Sequence, residues 1–192
     1  MSLRCLCIAA VAFAFPLFGQ AAAQDEAQKA KTKLEAFGAQ DGVVIVRGFS
    51  KVAEHRGQYG SAVVIEAKEF TNAATGKREY GVTVQVKEAG RIEREHTSYV
   101  DLDELASLIQ GVEYIAKVDK SATTLDSFQA DYRTRGDLEF STFSSERGTQ
   151  LAVTSGHIGK TTAFFALSDL PRLAESLSKA KAVLEALRPP KK

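Results

Sequence analysis

Residues 97–108 read Thr-Ser-Tyr-Val-Asp-Leu-Asp-Glu-Leu-Ala-Ser-Leu, and residues 162–173 read Thr-Ala-Phe-Phe-Ala-Leu-Ser-Asp-Leu-Pro-Arg-Leu. The two stretches align at a constant offset of 65 residues, with Tyr99 opposite Phe164. Upstream, Gly90-Arg91-Ile92 matches Gly156-His157-Ile158 and Gly81 matches Gly148, after slips of one and two residues. Self-similarity at a fixed spacing is typical of a repeated structural unit. We therefore predict a tandem duplication; the alternative is one α+β domain whose halves merely obey the same patterning rules.

The first unit, residues 43–118, is predicted to form four antiparallel strands followed by one helix. Its clearest strand surrounds Val82, Val84 and Val86, which alternate with polar residues,. Short turns separate the strands, and short connections join antiparallel neighbours. The other strands are predicted at Val43–Val46, which we expect to be buried, Ser61–Phe70 and Arg91–Val100. A helix capped by Asp101 or Asp103 follows, with apolar residues at helical spacing,.

The second unit, residues 119–192, repeats this order after a polar boundary at residues 119–124. Its strands are predicted at Leu125–Tyr132, Leu138–Phe143, Thr149–Thr154 and Thr161–Leu167,. Ser168 is expected to cap the final helix, which carries Pro171 in its first turn, where the missing N–H costs nothing,. The fold class is therefore α+β, with two tandem ββββα units.

The two units are expected to build one joint globular fold over residues 43–192. A four-stranded sheet with one helix covers only one of its faces, so each unit has apolar positions left to bury. Packing the two units face to face, or joining them edge to edge into one longer sheet, would give a pseudo-two-fold, single-chain dimer. The order of four strands and then one helix resembles that of the Whirly proteins. The resemblance implies single-stranded nucleic-acid binding as one hypothesis for function.

The N-terminus has the pattern of an export signal. Arg4 precedes an apolar stretch from Cys5 to Phe18, and Ala21-Ala22-Ala23 supplies a small-residue cleavage site,. We predict a signal peptide over residues 1–23, then a helix and turn over residues 24–42, with the helix ending at Gly38. The expected location is periplasmic or secreted, with no membrane span in the mature chain.

Cysteine content and charge exclude several classes of function. Cys5 and Cys7 both lie in the predicted signal peptide, so the mature chain of 169 residues (192 minus 23) would be free of cysteine. That excludes a thiolate nucleophile, a cysteine-ligated zinc and an iron–sulfur cluster. Loss of Arg4 would leave 24 basic and 24 acidic side chains. Because phosphate binding requires a basic face, no nucleic-acid partner is expected.

The histidines do not have the spacing of a metal site. His55, His96 and His157 are far apart in sequence, so no metal or cofactor is predicted,. Ser155 lies two residues before His157, but the nucleophile-elbow motif is absent and residues in one turn rarely face each other,.

Charged and aromatic residues are densest around the Gly136 turn. If strand alternation holds, Arg133 and Arg135 share one face with Asp131, and Tyr132 lies on the other,. A pair of guanidinium groups suits a carboxylate or another anion. Arg133, Arg135 and Tyr132 are therefore the predicted ligand-binding residues; the alternative is a solvated hairpin with its own ion pairs.

These observations favour an exported, non-enzymatic binding or structural module. The expected partner is a cell-envelope protein or a small ligand, held on a sheet face or between the two helices. Two alternatives stay open at this point. One is a cell-envelope hydrolase with a carboxylate-based site, and the other is the single-stranded nucleic-acid binding implied by the Whirly resemblance.

Overall fold

Two antiparallel sheets of four strands each form the framework of the molecule. A computed structural model describes residues 30–188, so the predicted signal peptide and the start of the predicted N-terminal helix lie outside the described residues. The first sheet contains β1 (Ile45–Arg56), β2 (Ala62–Asn72), β3 (Arg78–Glu88) and β4 (Arg94–Asp101). The second contains β5 (Gln129–Arg133), β6 (Leu138–Ser145), β7 (Gly148–Ser155) and β8 (Thr161–Ala166). Each sheet has its strands in sequence order, as short turns require,.

A helix follows each sheet, and a shorter helix precedes the first. The helices are α1 (Lys33–Gly38), α2 (Leu105–Ile115) and α3 (Leu170–Leu187). The predicted α+β class, with two four-stranded sheets that each lead into a helix, is confirmed. The caps differ from prediction: α2 begins after Glu104 and α3 after Asp169, neither with a capping side-chain hydrogen bond. Short 3-10 turns also occur, at Gln58–Gly60, Lys120–Ala122 and Leu167–Asp169.

Strand pairing fixes which residues of the two sheets correspond. At the offset of 65 residues, Asp101 corresponds to Ala166. Gly81 pairs with Asp101, and Gln150 pairs with Ala166, so the counterpart of Gly81 is Gln150. The match of Gly81 with Gly148 was therefore wrong: Gly148 is the first residue of β7, and the β6–β7 turn before it is shorter than the β2–β3 turn. On the helices, residues that are 65 positions apart are buried alike. The buried residues are Leu105, Leu108 and Val112 on α2 and Leu170, Leu173 and Leu177 on α3.

Each helix packs on the sheet of the other unit. Helix α2 contacts β5 and β6, α3 contacts β1, β2 and β3, and the two helices contact each other. Gly111 of α2 lies so close to Tyr132 of β5 that a Cβ atom there would be 2.0 Å from the ring. Its counterpart on α3, Ser176, is hydrogen-bonded to His55 of β1. One cluster of buried apolar side chains thus includes residues of both units.

The first turns of the two units make matching contacts across the molecule. A Cβ atom at Gly57, after β1, would lie 2.5 Å from the carbonyl oxygen of Phe164. A Cβ atom at Gly136, after β5, would lie 2.0 Å from the carbonyl oxygen of Tyr99, the counterpart of Phe164. Only glycine permits so close a backbone approach at either position.

Two predicted strands differ from those observed. Residues 43–46 are not buried: β1 begins at Ile45, and Val44 is 68% exposed. This part of β1 is an edge of the sheet, and a short apolar run does not reveal by itself whether another layer covers it. The strand predicted at residues 125–132 is shorter, because β5 spans Gln129–Arg133 and Leu125 is exposed.

Among residues 30–188, none of the helices combines the length and the apolar character needed to cross a membrane.

Candidate functional site

The predicted anion-binding residues lie on and just after β5. Asp131 and Arg133 are exposed on one face of the strand, whereas Ala130 and Tyr132 are half-buried on the other, so the predicted alternation is observed over residues 130–133. The prediction was wrong for Arg135, because β5 ends at Arg133 and Arg135 lies in the turn that follows. The Arg133 guanidinium forms an ion pair with Glu139 on the neighbouring strand, with Nη2 and Oε2 2.6 Å apart. Tyr132 packs on Gly111 of α2.

Arg135 reaches from the β5–β6 turn into an acidic cluster at the end of β4. Its Nη2 lies 2.8 Å from Oδ1 of Asp103 and 3.5 Å from Oδ2 of Asp101. Its backbone N–H and its Nε both donate to the carboxylate of Glu104, at 2.8 Å and 3.3 Å. Arg133 and Arg135 thus have carboxylate partners within the chain, and their role in ligand binding stays a prediction.

Asp101 anchors α1 from the outer face of the first sheet. Its carboxylate is buried and accepts hydrogen bonds from the backbone N–H groups of Lys33 and Leu34, each at 2.9 Å. A carboxylate at a helix N-terminus is favoured by hydrogen bonding and by the helix dipole. Nearby, hydrogen bonds donated by Lys33 and Arg135 hold the pKa of Asp103 below its ordinary value.

Two of the three histidines bind serine hydroxyls across the interface between the units. Nε2 of His55 is 2.9 Å from Oγ of Ser176, and burial together with the nearby Arg172 lowers the pKa of His55. Nδ1 of His96 is 2.9 Å from Oγ of Ser155, which is also 2.7 Å from Oγ of Ser98. Ser155 is fully buried, so this arrangement connects the two sheets and does not present a nucleophile to solvent. No cluster of metal-ligating side chains occurs within residues 30–188.

The most distinctive surface feature is an aromatic cleft on the outer face of the second sheet. Phe143 pairs with Gln150, and Ala152 pairs with Phe164, so these four side chains point away from the core,. The cleft has a volume of about 420 Å³. Its lining residues are Gln58, Tyr59, Phe143, Ser145, Glu146, Arg147, Gln150 and Phe164.

The first unit closes one side of this cleft with its β1–β2 turn. Tyr59 packs edge-on against Phe164, with ring centroids 6.4 Å apart. Nη1 of Arg147 donates a hydrogen bond of 3.1 Å to the Tyr59 hydroxyl. Nε2 of Gln58 lies 3.4 Å from Oε1 of Gln150. The cleft therefore combines aromatic faces with amide and guanidinium groups, as small-ligand and peptide sites commonly do.

Tyr59 is both exposed and conformationally strained. Its φ of 57° and ψ of 27° place it in the left-handed region, which costs a residue with a side chain about 1–2 kcal/mol,. Its side chain is nevertheless 70% exposed, and Phe164 is 37% exposed. Strained backbone conformations are often found at binding sites, and here the strained residue presents an aromatic ring to solvent.

The cleft was not predicted from the sequence. One indication was present, because Phe143 and Phe164 occupy outward positions of strands whose other outward residues are small or polar. Tyr59 carried no such indication, since its position against Phe164 depends on how the two units pack.

A second cavity, of about 470 Å³, lies where α1, the start of β3 and the end of α3 meet. Its charged and hydroxyl-bearing lining residues are Lys33, Arg78, Glu79, Tyr80, Asp103 and Arg188. The Tyr80 hydroxyl is buried without a hydrogen-bond partner among the described residues. Burial raises the pKa of the Glu79 carboxyl group, and the negative charge of the nearby Asp101 raises it further.

No protein-family model matches this chain, and no curated protein matches its sequence.

Proposed function

We propose that the chain is an exported binding module without catalytic activity, which holds its ligand in the aromatic cleft. The single observation that carries the proposal is the exposure of Tyr59 and Phe164 around a cleft on an otherwise polar sheet face. Aromatic side chains bury a large area at little entropic cost, and so dominate many binding sites. The fitting ligand has a flat or aliphatic apolar face flanked by groups that hydrogen-bond to Gln58, Gln150 and Arg147.

The proposal includes a pseudo-two-fold relation between the two units. Two sets of matching contacts support it. Gly57 meets the backbone of Phe164 as Gly136 meets that of Tyr99. Each helix also faces the first strand of the opposite unit, with Gly111 against Tyr132 and Ser176 against His55.

The location of the mature protein in the periplasm or outside the cell is part of the same proposal. It rests on the sequence of residues 1–23,. N-terminal sequencing of the protein recovered from its own cells tests it. The expected first residue is Gln24, and recovery of a protein that retains residues 1–23 contradicts an exported, processed form.

The cleft is tested by what co-purifies with the protein. The full chain is isolated from its own cell envelope, together with Phe164→Ala and Tyr59→Ala, and each sample is analysed by native mass spectrometry. We expect a bound species on the wild type that falls at least tenfold on each variant, because loss of an aromatic contact costs about 1–3 kcal/mol. The matched control is Ile158→Ala, which truncates an exposed apolar side chain in the β7–β8 turn, at the opposite end of the strands. Equal occupancy of all four proteins would show that binding occurs elsewhere.

The predicted role of Arg133 and Arg135 is tested in the same assay. A double alanine variant that keeps its bound species removes these arginines from the binding site. A variant that loses the species while Phe164→Ala retains it moves the site from the cleft to the β5–β6 turn.

Single-stranded nucleic acid is the second candidate ligand, because stacked aromatic side chains also accept bases. A deoxythymidine oligonucleotide is titrated at low ionic strength. We expect no binding, since Glu146 lies beside Arg147 in the lining of the cleft. Salt-dependent binding that Phe164→Ala abolishes would replace the first candidate with this one.

A further inference from the structure

Helix α1 packs on the outer face of the first sheet, at a site formed by Gly81, Asp101 and Phe70 that we call the α1 seat. Its Leu34 is fully buried over Gly81, where a Cβ atom would lie 2.9 Å from Cδ2 of Leu34. Asp101 accepts hydrogen bonds from the first N–H groups of the helix. At the other end, Gly38 packs on the Phe70 ring.

Polar side chains of the first sheet also bind the C-terminal end of α1. Nη2 of Arg47 donates a hydrogen bond of 2.8 Å to the carbonyl oxygen of Gly38. Nδ2 of Asn72 donates one of 3.1 Å to Oε1 of Gln40, just after the helix. The seat therefore has an acceptor at the start of the helix and donors at its end, as the helix dipole favours.

Strand pairing locates the same seat on the second sheet. Gln150 is the counterpart of Gly81, and Phe143 pairs with Gln150 as Lys68 pairs with Gly81. Two residues further along, Ser145 corresponds to Phe70, and the turn residue Arg147 follows Ser145 by two residues as Asn72 follows Phe70 at the end of β2. Phe164 corresponds to Tyr99 at the offset of 65 residues. Residues 143, 145, 147, 150 and 164 all line the aromatic cleft, so the cleft is the counterpart of the α1 seat.

The turn that borders each site corresponds as well. On the first sheet, the β5–β6 turn contacts the residues before α1, with Gly136 facing Thr32 and Asp137 paired with Lys31. On the second sheet, the β1–β2 turn supplies Gln58 and Tyr59. Among the described residues, no helix fills this second site.

The side chains of the second site exclude a copy of α1. Gln150 stands where Gly81 leaves room for Leu34, and Ala166 stands where Asp101 accepts the helix N–H groups. In exchange, the second site has the exposed rings of Tyr59 and Phe164 and the guanidinium of Arg147. A different helix is therefore required.

We propose that the aromatic cleft binds a short amphipathic helix of a partner protein, in the position that α1 takes on the first sheet. This inference rests on the proposed function of the cleft. The helix places an aliphatic side chain between Phe143, Phe164 and Tyr59, and its C-terminal carbonyl groups face Arg147. A cation near the last turn stabilises a helix through its free carbonyls and its dipole. Docking of an apolar helix face into a groove is a common mode of peptide recognition.

The correspondence of the two sites is tested by giving the cleft the side chains of the α1 seat. The variant Gln150→Gly/Ala166→Asp is titrated with an acetylated peptide of residues 30–40, Ala-Lys-Thr-Lys-Leu-Glu-Ala-Phe-Gly-Ala-Gln. We expect at least tenfold tighter binding than to the wild type, because hydrogen bonds to a charged acceptor are restored and Leu34 is admitted. Ala166→Asp alone keeps the strand residue Gln150 and is expected to give an intermediate gain. The matched control is a peptide with Leu34→Ala, which should lose the gain. Equal binding by wild type and both folded variants contradicts the inference.

The native occupant is sought with a displayed library of helical 11-residue peptides selected on the wild-type chain. Peptides that are helical when bound, that carry an aliphatic anchor, and whose affinity falls tenfold on Phe164→Ala but not on Ile158→Ala support the inference. Selected peptides that bind in an extended form or outside the cleft overturn it. If the cleft instead holds a small co-purifying molecule and selects no helix, the inference fails and the proposed function stands. If neither binds, both fail.

Discussion

Tyr80 buries a hydroxyl group beside the second cavity without a partner among the described residues. A buried, unsatisfied polar group costs about 1–3 kcal/mol, and phenylalanine retains the ring while removing that cost. Tyr80→Phe is therefore expected to raise the free energy of unfolding by up to about 1 kcal/mol, measured by urea denaturation, because the neighbouring Arg78 guanidinium offsets part of the cost,. Most substitutions of buried residues do the opposite, which makes the expected sign distinctive.

The control for this prediction is Tyr114→Phe, which removes a hydroxyl from an exposed tyrosine of α2. Its effect is expected to stay within about 0.5 kcal/mol. A loss of about 1 kcal/mol or more in Tyr80→Phe alone would mean that this hydroxyl has a stabilising partner.

Single residues also decide how the two corresponding outer faces are used. Gly81 and Asp101 admit and cap α1, whereas Gln150 and Ala166 at the same positions do not. Gly81 and Asp101 are of types that strands disfavour, but the sequence does not show which element approaches them. The difference between the two faces becomes visible only once strand pairing has aligned the two sheets.

Where α2 contacts β5, the backbone of Gly111 lies directly against the ring of Tyr132. A Cβ atom at Gly111 would lie 2.0–2.6 Å from three ring atoms of Tyr132. Gly111→Ala is therefore expected to destabilise the protein by about 1–3 kcal/mol, although alanine is the better helix former. Urea denaturation monitored by circular dichroism measures the change.

Two further variants identify the cause of that loss. Gln110→Ala places alanine at the neighbouring, exposed helix position and is expected to be neutral within about 0.5 kcal/mol,. Tyr132→Ala removes the ring, so adding Gly111→Ala to it should cost nothing further. A full, additive loss in the double variant would show that the ring is not the obstacle.

At the level of elements, periodicity predicted most of what the structure contains. The alternation around Val82–Val86 and the apolar stripes of α2 and α3 were sufficient for those elements, because each reflects burial of one face,. The caps were mispredicted, since Asp101 serves α1, which is distant in sequence. The exposure of the start of β1 was missed because it depends on which layer covers that edge.

At the scale of the whole molecule, the two units exchange helices. Each helix covers the sheet of the other unit, and each first turn contacts the last strand of the other. The order of four strands and one helix in each unit was predicted from the sequence, but the exchange was not, because both packing choices bury the same apolar stripes. The cleft follows from the exchange: Tyr59 belongs to one unit and Phe164 to the other. Arg133 and Arg135 were predicted as binding residues from local charge density alone, because the sequence does not show how the two units pack.

The exchange of helices is tested most directly by proton distances in solution. Because the Cβ direction of Gly111 points into the Tyr132 ring, one Gly111 Hα proton must lie against that ring. We expect a strong nuclear Overhauser effect between this proton and the Tyr132 ring protons, and an upfield ring-current shift of the proton. Contacts of Gly111 with residues of β1, together with contacts of the Tyr132 ring with Ser176, would place each helix on its own sheet and contradict the exchange of helices.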